Sequence, residues 1–259
     1  MDLQLQNKIV LVSGGAKGIG AAIVRGFAAE GAIPLIFDRN PAEAEGLIEE
    51  IGCGHFFNVE LVELEQIRKA IEQVHEQVGE VDILVNNAGV NDGAGLEKDP
   101  QDFVASLKKN LIHPFALAHY LLGDLRTNRG NIINIGSKVA DTGQGGTSGY
   151  AASKGAMNSL TREWAIDLAR FGIRVNCVVP AEVMTPLYKK WLEKNPAPAK
   201  AEARIKSTIP LGNRFTRASE IADLVVFLAS GRSSHTTGQV MYPDGGYTHL
   251  DRAYTTPPQ

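Results

Sequence analysis

The fold is decided by Lys8-Ile9-Val10-Leu11-Val12-Ser13 running straight into Gly14-Gly15-Ala16-Lys17-Gly18-Ile19-Gly20. A short run of β-branched and apolar side chains predicts a strand buried on both faces. Glycines break it. Apolar residues then return at Ile19, Ile23 and Phe27, a helical spacing that stops at Gly31. Strand, glycine turn and helix together make a cradle for a pyrophosphate. The turn lets backbone approach closely, and the helix N-terminus aims free N–H groups at the anion. The spacing is Gly14-x-x-x-Gly18-x-Gly20 rather than the commoner G-x-G-x-x-G, but the physical work is the same.

Outward from this unit the same alternation repeats. Strands are expected at 33–37, 55–59, 81–85, 131–135, 173–179 and 239–242. Helices are expected at 42–51, 64–78, about 100–125, 151–170 and 221–229. Such repetition means an α/β fold, a doubly wound parallel sheet with helices on both faces. No linker, repeat or low-complexity stretch divides residues 1–259, so one domain is expected. Residues 182–207, rich in Pro, Lys and Ala, read as an irregular insertion beyond the carboxyl end of the sixth strand. Open α/β sheets bind ligands there, which makes it the expected substrate-binding segment. Residues 251–259 read as a C-terminal tail, loose at its end.

Composition narrows the partners. The 259 residues carry 26 Lys and Arg against 29 Asp and Glu, a net charge of −3. This argues against a nucleic-acid or anionic-membrane partner. No apolar run reaches the ~18 residues of a spanning helix and the first residues do not look like a signal peptide, so a cytoplasmic location is expected. Cys53 and Cys177 read as free thiols, and with neither CxxC nor HExxH present no metal site is expected.

Four positions carry chemistry. Asp38 closes the second strand, near the ~20-residue separation at which an acidic residue meets the adenosine ribose. Its carboxylate favours NAD, while Lys17 and Arg39 keep NADP open by offering charge to a 2′-phosphate. Tyr150 and Lys154, four residues apart, share one helix face. A tyrosine of pKa about 10 is a poor base at neutral pH, and a fixed ammonium beside it lowers that value. Ser137 follows the fifth strand at the same rim, where its hydroxyl can hold a reacting oxygen.

With Gly14-x-x-x-Gly18-Ile19-Gly20, Asn86-Asn87-Ala88-Gly89, Asn110, Ser137, Tyr150-x-x-x-Lys154, Pro180 with Thr185, and Asp244-Gly245-Gly246 in place, the chain resembles the classical short-chain dehydrogenase/reductases over essentially its whole length. The resemblance implies a Rossmann-like sheet of about seven parallel strands, a nicotinamide cofactor and a homotetramer built on two long helices. It also implies roles. Tyr150 would be the general acid/base, Lys154 would bind the nicotinamide ribose and depress the tyrosine pKa, and Ser137 would orient the substrate oxygen. Asn110 would hold a water linking Lys154 to solvent. Ile19 would meet the pyrophosphate, Asn58 and Val59 the adenine. Asn87, Ala88 and Gly89 would line the cofactor, and Pro180, Val183 and Thr185 would grip the carboxamide end. The sequence departs from the family at Ala181, Gly136 and Asn58, the last where an aspartate usually meets the adenine.

The substrate end is polar: Asn91, Asp92, Gln144, Thr147 and Glu182. Such groups suit a ligand with many hydroxyls, since each unmatched polar group would be costly. Trp191 can close over that ligand or pack elsewhere. Stretches 90–93, 143–150, 180–188 and 244–252 resemble the bacterial L-fucose dehydrogenases within the family. That implies oxidation of an aldose at its anomeric carbon to a lactone. A hydroxysteroid or 3-oxoacyl reductase, and more remotely a non-catalytic dinucleotide-binding regulator, are the rival readings. The closing stretch 247–252 either reaches a neighbouring subunit or packs on its own surface.

Overall fold

In the computed structural model, which describes residues 1–250, the chain begins with strand β1 (Ile9–Ser13), helix α1 (Gly18–Ala29), β2 (Ile33–Asp38), α2 (Pro41–Ile51), β3 (His55–Asn58), α3 (Leu64–Gln77) and β4 (Ile83–Asn86). Next come α4 (Pro100–Leu107), a π-helical turn (Lys108–Ile112), α5 (His113–Tyr120), α6 (Leu122–Asn128), β5 (Asn131–Ile135), α7 (Ser148–Ala169) and β6 (Arg174–Val178). The rest is α8 (Pro186–Glu193), α9 (Pro198–Ser207), α10 (Ala218–Ala229) and β7 (Val240–Met241).

The strands form one seven-stranded sheet in the order β3-β2-β1-β4-β5-β6-β7. All neighbours run parallel. This is the expected Rossmann-like doubly wound architecture. Alternation along each strand feeds two cores. Val10 and Val12 of β1 pack with Ile23 and Phe27 of α1 and Val225 of α10, whereas Leu11 between them packs with Ile71 of α3 and Leu117 of α5. A period of two on the strand thus glues one helix layer to each face. The chain leaves β1 toward β2 on one side and returns to β4 on the other, and this reversal opens a crevice beyond the carboxyl ends of β1 and β4.

Two expectations change. The segment 182–207 is not irregular: it carries α8 and α9. Its prolines were expected to break structure, but Pro186 and Pro198 stand in first turns, where the missing N–H costs nothing. Thr185 caps α8 by accepting from the Tyr188 N–H at 3.2 Å. The long helix expected at 100–125 is instead α4, the π-turn, α5 and part of α6. Cys53 and Cys177 are free thiols. The tail at 251–259 lies outside the described residues.

Candidate functional site

The crevice is a cavity of about 920 Å³ running from the glycine turn and Asp38 to Tyr150 and Lys154. At the first end the geometry is made by backbone. Gly18 has φ +57°, a conformation side chains rarely adopt. A Cβ on Gly20 would stand 2.1 Å from the Gly14 carbonyl oxygen, so the helix can start there only without a side chain. The N–H groups of the first turn of α1 have no intrahelical acceptor, and Gly18, Ile19 and Gly20 all line the cavity. Asn87 braces the turn. Its Nδ2 donates to the carbonyls of Ser13 and Gly14, both at 3.0 Å, while Ser13 Oγ accepts from the N–H groups of Asn87 and Ala88.

Asp38 is nine-tenths buried and already engaged. It accepts from the Ala16 N–H at 3.1 Å, the Arg39 N–H at 2.7 Å and the Asn40 Nδ2 at 2.6 Å, and one edge still faces the cavity. Lys17 pairs with Glu43, and Arg39 with Glu60 at 3.1 Å. Backbone donors, a glycine edge and a carboxylate at the far end fit a dinucleotide. Val59, Asn87, Ala88, Gly89, Pro180, Val183 and Thr185 line the same cavity. Asn58 does not: it is exposed on β3, and Val59, Glu60 and Leu61 form the wall there.

At the other end Tyr150 and Lys154 sit one turn apart on α7, with Lys154 Nζ 5.7 Å from the centre of the Tyr150 ring. Lys154 is 3% exposed and donates to the Ile135 carbonyl at 2.7 Å. Burial pushes its pKa down to about 8. Burial also raises the Tyr150 phenol, with Ser137 beside it pulling the other way. The expectation that Lys154 lowers the tyrosine therefore needs correction. In the chain alone the phenol stands above its ordinary value because desolvation outweighs Ser137, and Lys154 is not among the groups that shift it.

The structure also fixes the side chain of Asn110. It is fully buried in the π-turn and does not line the cavity. Its Oδ1 accepts from the Val90 N–H at 2.7 Å, and its Nδ2 donates to the carbonyls of Val90 and Ser106 at 3.0 and 2.9 Å. The side chain clamps the loop after β4 to the π-turn.

Of the expected substrate contacts, Asn91, Asp92 and Ser137 reach the cavity. Asp92 accepts from Ser106 Oγ at 2.9 Å and Lys109 Nζ at 3.2 Å. Burial raises its pKa, but these two partners outweigh burial and hold it below the usual range. Gln144 is exposed and, like Thr147, lies off the cavity wall. Glu182 is buried and faces away. It pairs with Lys138 and accepts from the Tyr188 hydroxyl at 2.6 Å. It lines a second cavity of about 540 Å³ with Trp191, Lys200, Arg204 and Tyr247. Trp191 meets Tyr188 edge-on at 5.3 Å, and Tyr188 itself lines the first cavity.

Lys138, Tyr188 and His113 were not singled out from sequence. Lys138 is adjacent to Ser137, which was a usable signal. Tyr188 closes the stretch 180–188 that carries the resemblance, a usable signal, whereas His113 had none, because only the fold brings it to the cleft.

A family profile described as enoyl-(acyl carrier protein) reductase matches residues 14–248. L-fucose dehydrogenase of Bos taurus is 34% identical over 248 residues, spanning 95% of this chain and 91% of its own. The 3-oxoacyl-[acyl-carrier-protein] reductase FabG of Thermotoga maritima is 36% identical over 250 residues, spanning 94% and 99%. Among solved structures, Cj0485 dehydrogenase superposes with a TM-score of 0.94 at 45% identity over 98% of both chains.

Proposed function

We propose, on the premise that this chain belongs to the short-chain dehydrogenase/reductase family of NAD(P)-dependent oxidoreductases acting on CH–OH groups, that it oxidises an aldose at the anomeric carbon to a lactone. L-Fucose or a stereochemical relative is the substrate and NAD the cofactor. The reading is carried by the polar side chains that line the same cleft as Tyr150: Asn91, Asp92, Lys109 and Tyr188. Burying a sterol or acyl chain against them would desolvate the Asn91 amide and the Asp92–Lys109 pair without compensation, whereas sugar hydroxyls can pair with their remaining donors and acceptors. The likeness to L-fucose dehydrogenase supports the same choice.

A bound nicotinamide supplies the hydride acceptor and, when oxidised, a positive charge. Tyr150 as phenolate takes the proton of the anomeric hydroxyl. The hydride leaves the same carbon, and the C–O bond becomes the lactone carbonyl. Ser137 donates to the substrate oxygen and fixes its distance from Tyr150. Lys154, pointed at Ile135 in the chain alone, has two further N–H groups for a ribose hydroxyl and the field of the phenol. Asp38 prefers a ribose hydroxyl over a 2′-phosphate, which favours NAD, while Lys17 and Arg39 stand in exposed pairs with Glu43 and Glu60. Exposed Phe115 and Ile166 on α5 and α7 support a homotetramer packed through those helices. Among the described residues no helix is long and apolar enough to cross a membrane.

The likeness to FabG favours a second reading, reduction of a 3-oxoacyl group. One panel separates them: purified protein with NAD or NADP against aldoses, hydroxysteroids and 3-oxoacyl esters, read at the reduced-nicotinamide absorbance. Sugar-dependent NAD reduction is expected. Tyr150→Phe is expected to lower kcat by about 10³-fold, the range of a lost general base, with the fold intact by circular dichroism. Retention of most activity would remove Tyr150 from the mechanism.

A further inference from the structure

We propose that His113 is a positioning residue for Lys154: its Nδ1 accepts a hydrogen bond from the Lys154 ammonium through one buried water. The inference rests on the reading of Tyr150 and Lys154 as the acid/base pair.

His113 opens α5 directly after the π-turn and is 1% exposed. Its Nε2 lies 2.9 Å from the Lys109 carbonyl oxygen. A carbonyl can only accept, so Nε2 carries the proton. In a neutral imidazole Nδ1 must then be the acceptor. The ring is neutral: burial is the largest influence and holds its pKa down to about 4, the Lys109 carbonyl opposes it, and the Lys154 charge adds a smaller push in the same direction as burial. Nδ1 is buried and has no partner among the described residues. Leaving such an acceptor unmatched costs about 1–3 kcal/mol, and native proteins seldom do so without a reason.

The surroundings offer few donors. His113 lines the cleft together with Tyr150 and Lys154 of α7, and with Asp92 from the loop after β4. Asp92 only accepts and is held by Ser106 and Lys109. Asn110, on the same turn, has its Nδ2 committed to Val90 and Ser106. Cys177 on β6 interacts with Lys154, and burial pushes its thiol up to about 12, so it stays neutral. Lys154 keeps two N–H groups beyond the one given to Ile135. Gly89 keeps the approach open: a Cβ there would stand 3.0 Å from Asn110 Oδ1 and 3.4 Å from Lys154 Nζ. A polar pocket with a lone acceptor and an ammonium is where a bridging water is held.

The sign follows. A neutral acceptor favours the ammonium form of Lys154 and so holds its pKa up against burial. Removing the acceptor lowers that pKa, and Lys154 loses its charge at lower pH. Asparagine places Oδ1 near the position of Nδ1, whereas glutamine reaches the position of Nε2 and keeps only the bond to Lys109. In the intact chain, with aldose and NAD, His113→Gln is expected to move the alkaline limb of the kcat profile down by about one pH unit, a tenfold loss on that limb. His113→Asn is expected to keep the wild-type limb. Equal losses at every pH in both variants, or unmoved limbs in both, would overturn the proposal. Nitrogen-15 spectra of the wild-type histidines give a reading independent of folding in the variants and of turnover. An unprotonated, hydrogen-bonded Nδ1 and a protonated Nε2 are expected at His113, and a protonated Nδ1 would overturn the assignment even if Tyr150→Phe behaves as expected.

Discussion

The two ends of the cleft are built by different means. At the glycine turn, backbone does the work: one strand, one turn and the start of one helix meet within Ile9–Ala29, braced by Asn87 and Asp38. At the polar end, side chains do it, and they come from far apart. Lys138 follows β5, Glu182 and Tyr188 lie beyond β6, Tyr247 follows β7, and all four meet as one cluster that backs the cleft, with Tyr188 lining the cleft and Glu182 and Tyr247 lining the second cavity. The Lys138 ammonium pairs with Glu182 and also sits 4.1 Å above the Tyr247 ring. A backbone site tolerates almost no change in shape and little depends on its side-chain chemistry. A side-chain cluster has the opposite sensitivities.

That contrast is tested most severely by Gly20→Ala. The added Cβ meets the Gly14 carbonyl and Asn87 Nδ2, both fixed by the same turn, so the strain cannot relax into a flexible side chain. Overpacking of about 3 kcal/mol is expected, which in dinucleotide affinity is about 100-fold. Titration calorimetry with NAD measures it. The sugar KM at saturating NAD should stay near that of the wild type. Wild-type NAD affinity in this variant would mean that the turn is not the cradle.

The converse change is Glu182→Gln. It keeps the shape and the acceptor for Tyr188 but leaves the Lys138 ammonium largely buried without its counter-charge. Side chains of this pair are only 14% and 9% exposed, so breaking it is expected to cost about 3 kcal/mol of stability, read as a lower denaturation midpoint. Sugar KM is expected to rise by about tenfold through Tyr188, an effect of about 1.4 kcal/mol, with NAD affinity unchanged. Equal losses for sugar and NAD would erase the distinction between the two ends.

This division also explains what could be read from the sequence. The glycine turn was legible because its parts are contiguous and its function needs particular φ values and the absence of a Cβ. Tyr150 and Lys154 were legible because helical spacing alone puts them one turn apart. Glu182 was legible as a buried acid but not in its direction, since the two partners that turn it from the cleft sit at Lys138 and Tyr188. Asn58 and Gln144 fell off the wall for a related reason. Strand and loop residues face whichever way the pleat or turn sends them, and a shift of one position exchanges cleft for solvent. The helices in 182–207 were hidden because proline reads as a breaker until its place in a first turn is known.

Asp38 stands between the two kinds of site, and its substitution is expected to have the smallest effect. Its carboxylate is a backbone brace, accepting from the N–H groups of Ala16, Arg39 and Asn40, and it also lines the cleft beside the glycine turn. Asp38→Asn keeps one acceptor oxygen for the brace and removes the negative charge. Repulsion of a 2′-phosphate then falls, while Lys17 and Arg39 remain tied to Glu43 and Glu60 only in exposed, weakly held pairs. Either cation can turn to the phosphate at little cost. The ratio of kcat/KM for NAD over NADP is therefore expected to fall by about tenfold, or 1.4 kcal/mol, mostly through better NADP binding. An unchanged ratio would mean that Asp38 serves the turn alone, and the backbone end of the cleft would then discriminate cofactors by shape rather than charge.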